Sequence, residues 1–208
     1  SKTYDGATIS GAVTVGSLLG LISGETLGAV TANGVMNSKN AGNNVATVSY
    51  GLSNVAGGGL ASNYSLAPTA GLTATVTPKA LTVSGVITKT YDGNLSASLS
   101  DGALNGVVSG DVVSLITGTV AFVDKDAGTA KAITASGFGL AGTGTGNYSL
   151  AQPTGLTGTI TQRVLTPIGV YIDSKTYDGT TYSGTISVPS VSGYVSGEWL
   201  VENSLKTD

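Results

Sequence analysis

The chain has 208 residues, of which 32 are glycine and only 10% are charged, with nine Lys and Arg against twelve Asp and Glu and a formal net charge of −3. Sparse charge without a Lys/Arg cluster excludes a nucleic-acid interface built on phosphate contacts, and a hydrophobic content of 40% excludes a disordered tail. With no Cys and no His, disulfide staples, thiolate metal sites and imidazole catalysis are excluded, and no apolar run approaches the roughly 18 residues that would span a bilayer.

The first element in the chain is Lys-Thr-Tyr-Asp-Gly at residues 2–6, and it returns at 89–93 and 175–179, with tyrosines 87 and 86 residues apart. A fixed period decides architecture before any local pattern does. Within the motif, Asp5, Asp92 and Asp178 suit a turn-capping carboxylate, and Gly6, Gly93 and Gly179 suit a positive φ. Tyr4, Tyr91 and Tyr177 suit a packed ring with its hydroxyl at the rim. Lys2, Lys89 and Lys175 complete the motif as its one cation.

Further along, a Ser-Gly-acid station ends in Glu25, Asp111 and Glu198, and a Lys-x-Ala-Gly station occupies 39–42 and 125–128. An Asn-Tyr-Ser-Leu station follows, with Asn63 and Tyr64 in one copy and Asn147 and Tyr148 in the next; it reads as a turn-closing Asn beside a core or rim Tyr. Leu72, Ala74 and Val76 then alternate with threonines, which predicts a strand. New apolar segments at 80–86 and 164–171 are expected to open the following units. The units drawn this way are 1–79, lacking its first strand, 80–163, complete, and 164–208, an N-terminal half only.

No segment carries helical periodicity over more than two turns, whereas turn signals recur about every 8 to 12 residues. An all-β fold is expected: tandem small β-sandwiches of immunoglobulin-like type, with a β-grasp-like unit as the alternative. Junctions of a residue or two, one of them Pro78, predict a stiff rod. The glycines at 57–59 and 142–146 fall inside units and predict surface loops.

Chemistry is sparse in this pattern. One sharper reading is a self-made isopeptide bond, in which Lys89, Asn147 and Asp111, or Lys2, Asn63 and Glu25, supply amine, amide and acid at constant positions. The stretch 124–128 resembles the start of a calcium loop, but no bidentate Glu follows at the right distance, which favours a plain turn. No catalytic, cofactor or metal site is expected, and units repeating the same residues would repeat the same active site, which favours mechanics over catalysis.

The order Lys-Thr-Tyr-Asp-Gly, Ser-Gly-Asp/Glu, Lys-Asp/Asn-Ala-Gly and Asn-Tyr-Ser-Leu, closing on Thr-Val-Thr-Pro-Lys, resembles the YDG-type repeats of very large bacterial surface adhesins, as in filamentous-haemagglutinin-like exported proteins. The resemblance spans nearly the whole chain and implies a secreted, cell-surface stalk or filament segment that projects or assembles adhesive domains. Its partners would be neighbouring repeats of the same chain, with lateral or end-to-end homotypic assembly open because strands such as 45–50 carry few charges to guard an edge. No nucleic acid and no membrane insertion are expected. The alternatives are repeats that themselves bind glycan or a host protein through a Tyr-rich surface and, last, an ice- or matrix-binding array of threonines.

Overall fold

The computed structural model describes residues 1–181, 186–188 and 190–199, so the expected third unit falls partly outside the described residues. Strands in the first half are β1 (Lys2–Thr3), β2 (Thr31–Met36), β3 (Gly42–Gly51), β4 (Thr69–Thr77), β5 (Lys79–Val86), β6 (Thr88–Thr90), β7 (Ser96–Ala97), β8 (Ser100–Asn105) and β9 (Ser114–Ile116). There follow β10 (Thr119–Phe122), β11 (Gly128–Ser136), β12 (Gly139–Ala141), β13 (Tyr148–Leu150), β14 (Thr157–Thr161), β15 (Thr166–Ile168), β16 (Tyr171–Ile172), β17 (Ile186–Ser187) and β18 (Ser190–Ser192). The fold is all-β; helical structure among the described residues amounts to two 3₁₀ turns, Ala61–Asn63 and Thr145–Asn147.

The chain packs as two compact units, and neither is a continuous segment. Unit 1 takes Ser1–Ser84, Gly102–Thr117 and Phe138–Gln152, while unit 2 takes Gly85–Asp101, Gly118–Gly137 and Pro153–Asp208. Sequence period and packing unit therefore differ: a repeat in the sequence records phase, whereas a core records which strands lie on one another.

Unit 1 has two layers. One is the sheet β1-β4-β3-β2, in which β1 runs parallel to β4 and the other pairs are antiparallel. Its inward positions follow the period of two, with Asn44, Ala46 and Val48 from β3 and Ala74 and Val76 from β4, while the intervening threonines face out. Leu72 breaks the expected alternation and stays exposed, because the ladder shifts register between Ala46 and Val48 opposite it. Residues 45–50, expected to present an unguarded edge, lie inside β3, which is bonded to β4 on one side and β2 on the other, so that expectation is corrected.

The second layer is the sheet β13-β5-β8 with the β12-β9 pair, and β13 runs parallel to β5. Tyr4, Met36, Ala46, Ala74 and Val76 from the first layer meet Leu81 and Tyr148 from the second in one core. Leu81 belongs to the strand that opens the second sequence repeat, yet it is buried among side chains of the first; its burial alone contributes about 2 kcal/mol. Gln152 closes the layer: its amide accepts from the Phe138 N–H and donates to the Phe138 carbonyl, both at 2.9 Å, in place of a strand partner.

Unit 2 repeats the first layer as β6-β14-β11-β10-β7. β6 runs parallel to β14 with Lys89 opposite Ile160, as Lys2 stands opposite Val76 in unit 1. Among the described residues, Ile87, Val120, Phe122, Ile133 and Ile160 are its buried hydrophobic side chains. Gly158 fits because a side chain there would meet the Ile87 carbonyl at 2.7 Å and the Phe122 ring at 2.9 Å. The antiparallel pairs β15-β18 and β16-β17 complete the described part.

Candidate functional site

Each Lys-Thr-Tyr-Asp-Gly copy closes on itself in the same way. The Asp5 carboxylate accepts the Ala7 N–H at 2.9 Å, Asp92 accepts the Asn94 N–H at 3.1 Å, and Asp178 accepts the Thr180 N–H at 2.9 Å, each an Asx turn. The following glycines take φ of 81°, 80° and 76°, where a Cβ is strained. The lysine three residues before each Asp folds back on it, Lys89 at 2.6 Å and Lys175 at 2.8 Å, and the ammonium also takes main-chain carbonyls: Ala7 for Lys2, Asn94 and Ser96 for Lys89, Thr180 for Lys175. The pairing holds the carboxyls of Asp5, Asp92 and Asp178 below the usual range.

The motif's tyrosine leaves this local turn and joins a non-local cluster in unit 1. Tyr4 and Tyr148 meet edge to face, ring centroids 5.4 Å apart at 77°, and both hydroxyls donate to the same Asp111 carboxylate oxygen, at 2.7 and 2.6 Å. The Lys39 ammonium lies 3.8 Å from the other oxygen. The Tyr148 hydroxyl accepts the Val108 N–H at 2.9 Å. Beside it, buried Asn147 accepts the Ala41 N–H at 2.8 Å and donates to the Asn40 side chain at 3.3 Å. Hydrogen bonds from Tyr148 and Tyr4 hold Asp111 below the ordinary carboxylate range. Burial, then the Asp111 bond, pushes Tyr4 up to about 12, and the same causes raise Tyr148.

The cluster unites stations one period apart: Tyr4, Lys39, Asn40 and Ala41 come from the first sequence repeat, and Asp111, Asn147 and Tyr148 from the second. The same arrangement appears twice more in part. Glu25 accepts from Tyr64, whose hydroxyl takes the Ile22 N–H at 3.2 Å, matching Asp111, Tyr148 and Val108. Glu198 accepts from Tyr91 and faces Lys125 at 3.5 Å, matching Asp111, Tyr4 and Lys39.

The family model of the YDG domain matches residues 1–71 and 77–155. The chain belongs to the YDG domain family. No curated protein and no solved structure matches it. The second YDG match, 77–155, runs through both compact units, so a YDG copy defined by sequence shares its core with its neighbour.

The isopeptide trios meet other partners. Lys89 is held by Asp92, Asn94 and Ser96, while Asp111 and Asn147 join the tyrosine cluster; Lys2 is held by Asp5 and Ala7, and Glu25 by Tyr64. What the YDG cluster can do chemically is hold. Its hydroxyls are kept protonated, its carboxylate is kept ionised, and each strong donor has an acceptor. Asp124, at the calcium-like stretch, accepts the Asp126 N–H at 3.0 Å and pairs with Lys131 as an ordinary turn. The sequence pattern marks the acid, Lys-x-Ala-Gly and tyrosine stations without joining Tyr4, Asp111 and Tyr148, and it gives Lys39 and Lys125 no role. The constant phase of acid, lysine and tyrosine was the signal that they meet.

Proposed function

We propose that this chain is a structural stalk or filament segment of a secreted bacterial surface adhesin, in which YDG repeats project or assemble adhesive domains. The observation that supports this most is the shared core. Tyr4 of one repeat is buried against Tyr148 and bonded to Asp111 of the next, so adjacent repeats cannot separate without exposing that core. A chain of independent beads would yield at every junction, whereas repeats that share a core carry tension through packed strands.

Single-molecule stretching of the 208-residue chain between marker domains tests the reading. Independent repeats would rupture in steps of about 300 Å, the extended length of one period, whereas rupture of the interlocked core frees about 500 Å at once. Low-force extension in single-repeat steps, together with selective retention of a glycan on an array, would replace the stalk by the binding-module reading.

A further inference from the structure

The sheet β1-β4-β3-β2 of unit 1 turns one face to the core and the other to solvent. On the outer face three aliphatic side chains lie together. Ile9 bridges to Val35, Val35 stands opposite Thr47, and Val45, opposite Thr73, is the diagonal neighbour of Val35. They are 65%, 50% and 53% exposed. Ladder register gives each a counterpart in unit 2. Ser96 pairs with Ala121 as Ile9 does with Val35, Ala121 with Thr134 as Val35 does with Thr47, and Ala132 with Thr157 as Val45 does with Thr73. The fold is therefore satisfied by Ser, Ala and Ala at these places, and stability of the sheet does not require Ile, Val and Val. Scattered apolar side chains on a surface are ordinary, whereas a contiguous group that the sister repeat trims away marks a contact surface.

The rest of this face is uncharged and polar, with Thr31, Asn33, Asn43, Ser49, Thr75 and Thr77 facing out. Several of its hydroxyls are already bonded within the sheet: Thr75 donates to the Asn43 side chain at 2.9 Å, Thr77 to the Lys2 carbonyl at 3.3 Å and Ser49 to the Asn33 carbonyl at 3.4 Å. A sugar-binding surface keeps such donors free for its ligand; here they bring their own acceptors, so the face leaves water at low cost. A charged partner would lose its hydration against this face and gain no counter-ion. The same face of another copy carries no charge, and a chain with 10% charged residues and a net charge of −3 repels its copies weakly. The exposure does not depend on which neighbour is present. The face is open in unit 1, whose core includes strands of the following repeat, and open again at Ser96, Ala132 and Thr134 of unit 2, which has a repeat before it in the chain.

We infer that the outer face of the unit 1 sheet packs on the same face of a second copy of this chain, centred on Val35 and Thr47, as two stacked sheets about 10 Å apart. Four strands about 4.8 Å apart and about seven residues long give each copy roughly 500 Å² of face, so the pair buries about 1,000 Å², the lower end of a specific interface. The dimer is accordingly weak, with a Kd in the micromolar to millimolar range. It forms through a sheet face, not through the edge of β3, which both neighbouring strands cover. The inference stands on the sheet geometry and is independent of the stalk reading.

The test is sedimentation equilibrium of the full 208-residue chain from about 10 μM to 1 mM. We expect a reversible monomer–dimer equilibrium that Val45→Glu weakens about tenfold or more, because two carboxylates would then be buried close together without a partner. Ala132→Glu, at the matching place in unit 2, should leave it unchanged. The chain has no cysteine, so a second measurement avoids added charge: under mild oxidation Thr47→Cys should form covalent dimers faster than Thr134→Cys, its counterpart in unit 2. A chain that stays monomeric to 1 mM, equal weakening by Val45→Glu and Ala132→Glu, or no preference for cross-linking at Thr47→Cys overturns the interface. Saturable binding of a glycan by a chain that stays monomeric, lost in Val45→Glu, overturns the second copy as the occupant of the face.

Discussion

Tyr4 and Tyr177 occupy the same place in identical pentapeptides, yet Tyr4 is 1% exposed and Tyr177 is 93% exposed. Around both, the local turn is the same, with lysine on aspartate and glycine at a positive φ near 80°. The motif therefore specifies its own turn and nothing more. What buries Tyr4 is the acid and tyrosine of the following repeat, Asp111 and Tyr148. Tyr91 stands between these extremes, with Glu198 and Lys125 in place but no second tyrosine among the described residues.

The largest break in this comparison comes from truncating the ring. Tyr4→Ala opens a cavity in the core of unit 1 and is expected to cost about 3–5 kcal/mol, against about 0.5 kcal/mol or less for Tyr177→Ala at an exposed site. Urea denaturation of the two variants measures both. Equal losses would mean that the motif tyrosine acts through its own turn and not through the neighbouring repeat.

Removing only the hydroxyl is the finer cut. Tyr4→Phe keeps the edge-to-face packing and deletes one bond to Asp111, with an expected loss of about 2 kcal/mol. Asp111→Asn affects both tyrosines and Lys39 together, and is expected to destabilise unit 1 more than Glu25→Gln does, since Glu25 holds the single tyrosine Tyr64. A double-mutant cycle of Tyr4→Phe with Asp111→Asn should show strong coupling. Additive effects would separate the two residues energetically and undo the cluster as a unit.

The same cluster sets two pH limits. Tyr4 is raised to about 12, so its contribution is whole below the ordinary tyrosine value near 10 and is lost as pH rises from there through 12. Asp111 is lowered, so its contribution is whole above the ordinary Asp value near 4 and is lost as pH falls below it. Stability followed across both ranges should decline at each end in the native chain. Tyr4→Phe should flatten the alkaline limb and Asp111→Asn the acid one.

How much of this the sequence discloses depends on range. The Asx turns at Asp5, Asp92 and Asp178 and the alternation of Ala74 and Val76 in β4 were legible, because both are set by neighbours within a few residues. The bulge that exposes Leu72 and the pairing of β3 on both sides were not, since register depends on a separate strand of the chain. The cluster lay halfway between: its residue types and period were plain, but their meeting depends on Leu81 and Tyr148 packing backward onto the preceding repeat. Nothing in local periodicity encodes which neighbour a strand chooses.

The smallest expected effect separates local strain from that backward packing at a single atom. All three motif glycines sit in the left-handed region, so Gly→Ala costs about 1 kcal/mol of backbone strain at each. At Gly179 the added methyl meets nothing within 4 Å, and strain is the whole effect. At Gly6 the methyl would stand 3.0 Å from a Val108 methyl, and at Gly93 2.8 Å from the Val195 methyl one period on. Val108 also donates its N–H to Tyr148, so displacing it disturbs the cluster as well as the turn. Gly6→Ala should therefore lose more stability than Gly179→Ala by urea denaturation, and Gly6→Ala combined with Val108→Ala should recover part of that excess. Identical losses at Gly6 and Gly179 would mean that the turn and the neighbouring repeat are independent at this point of contact.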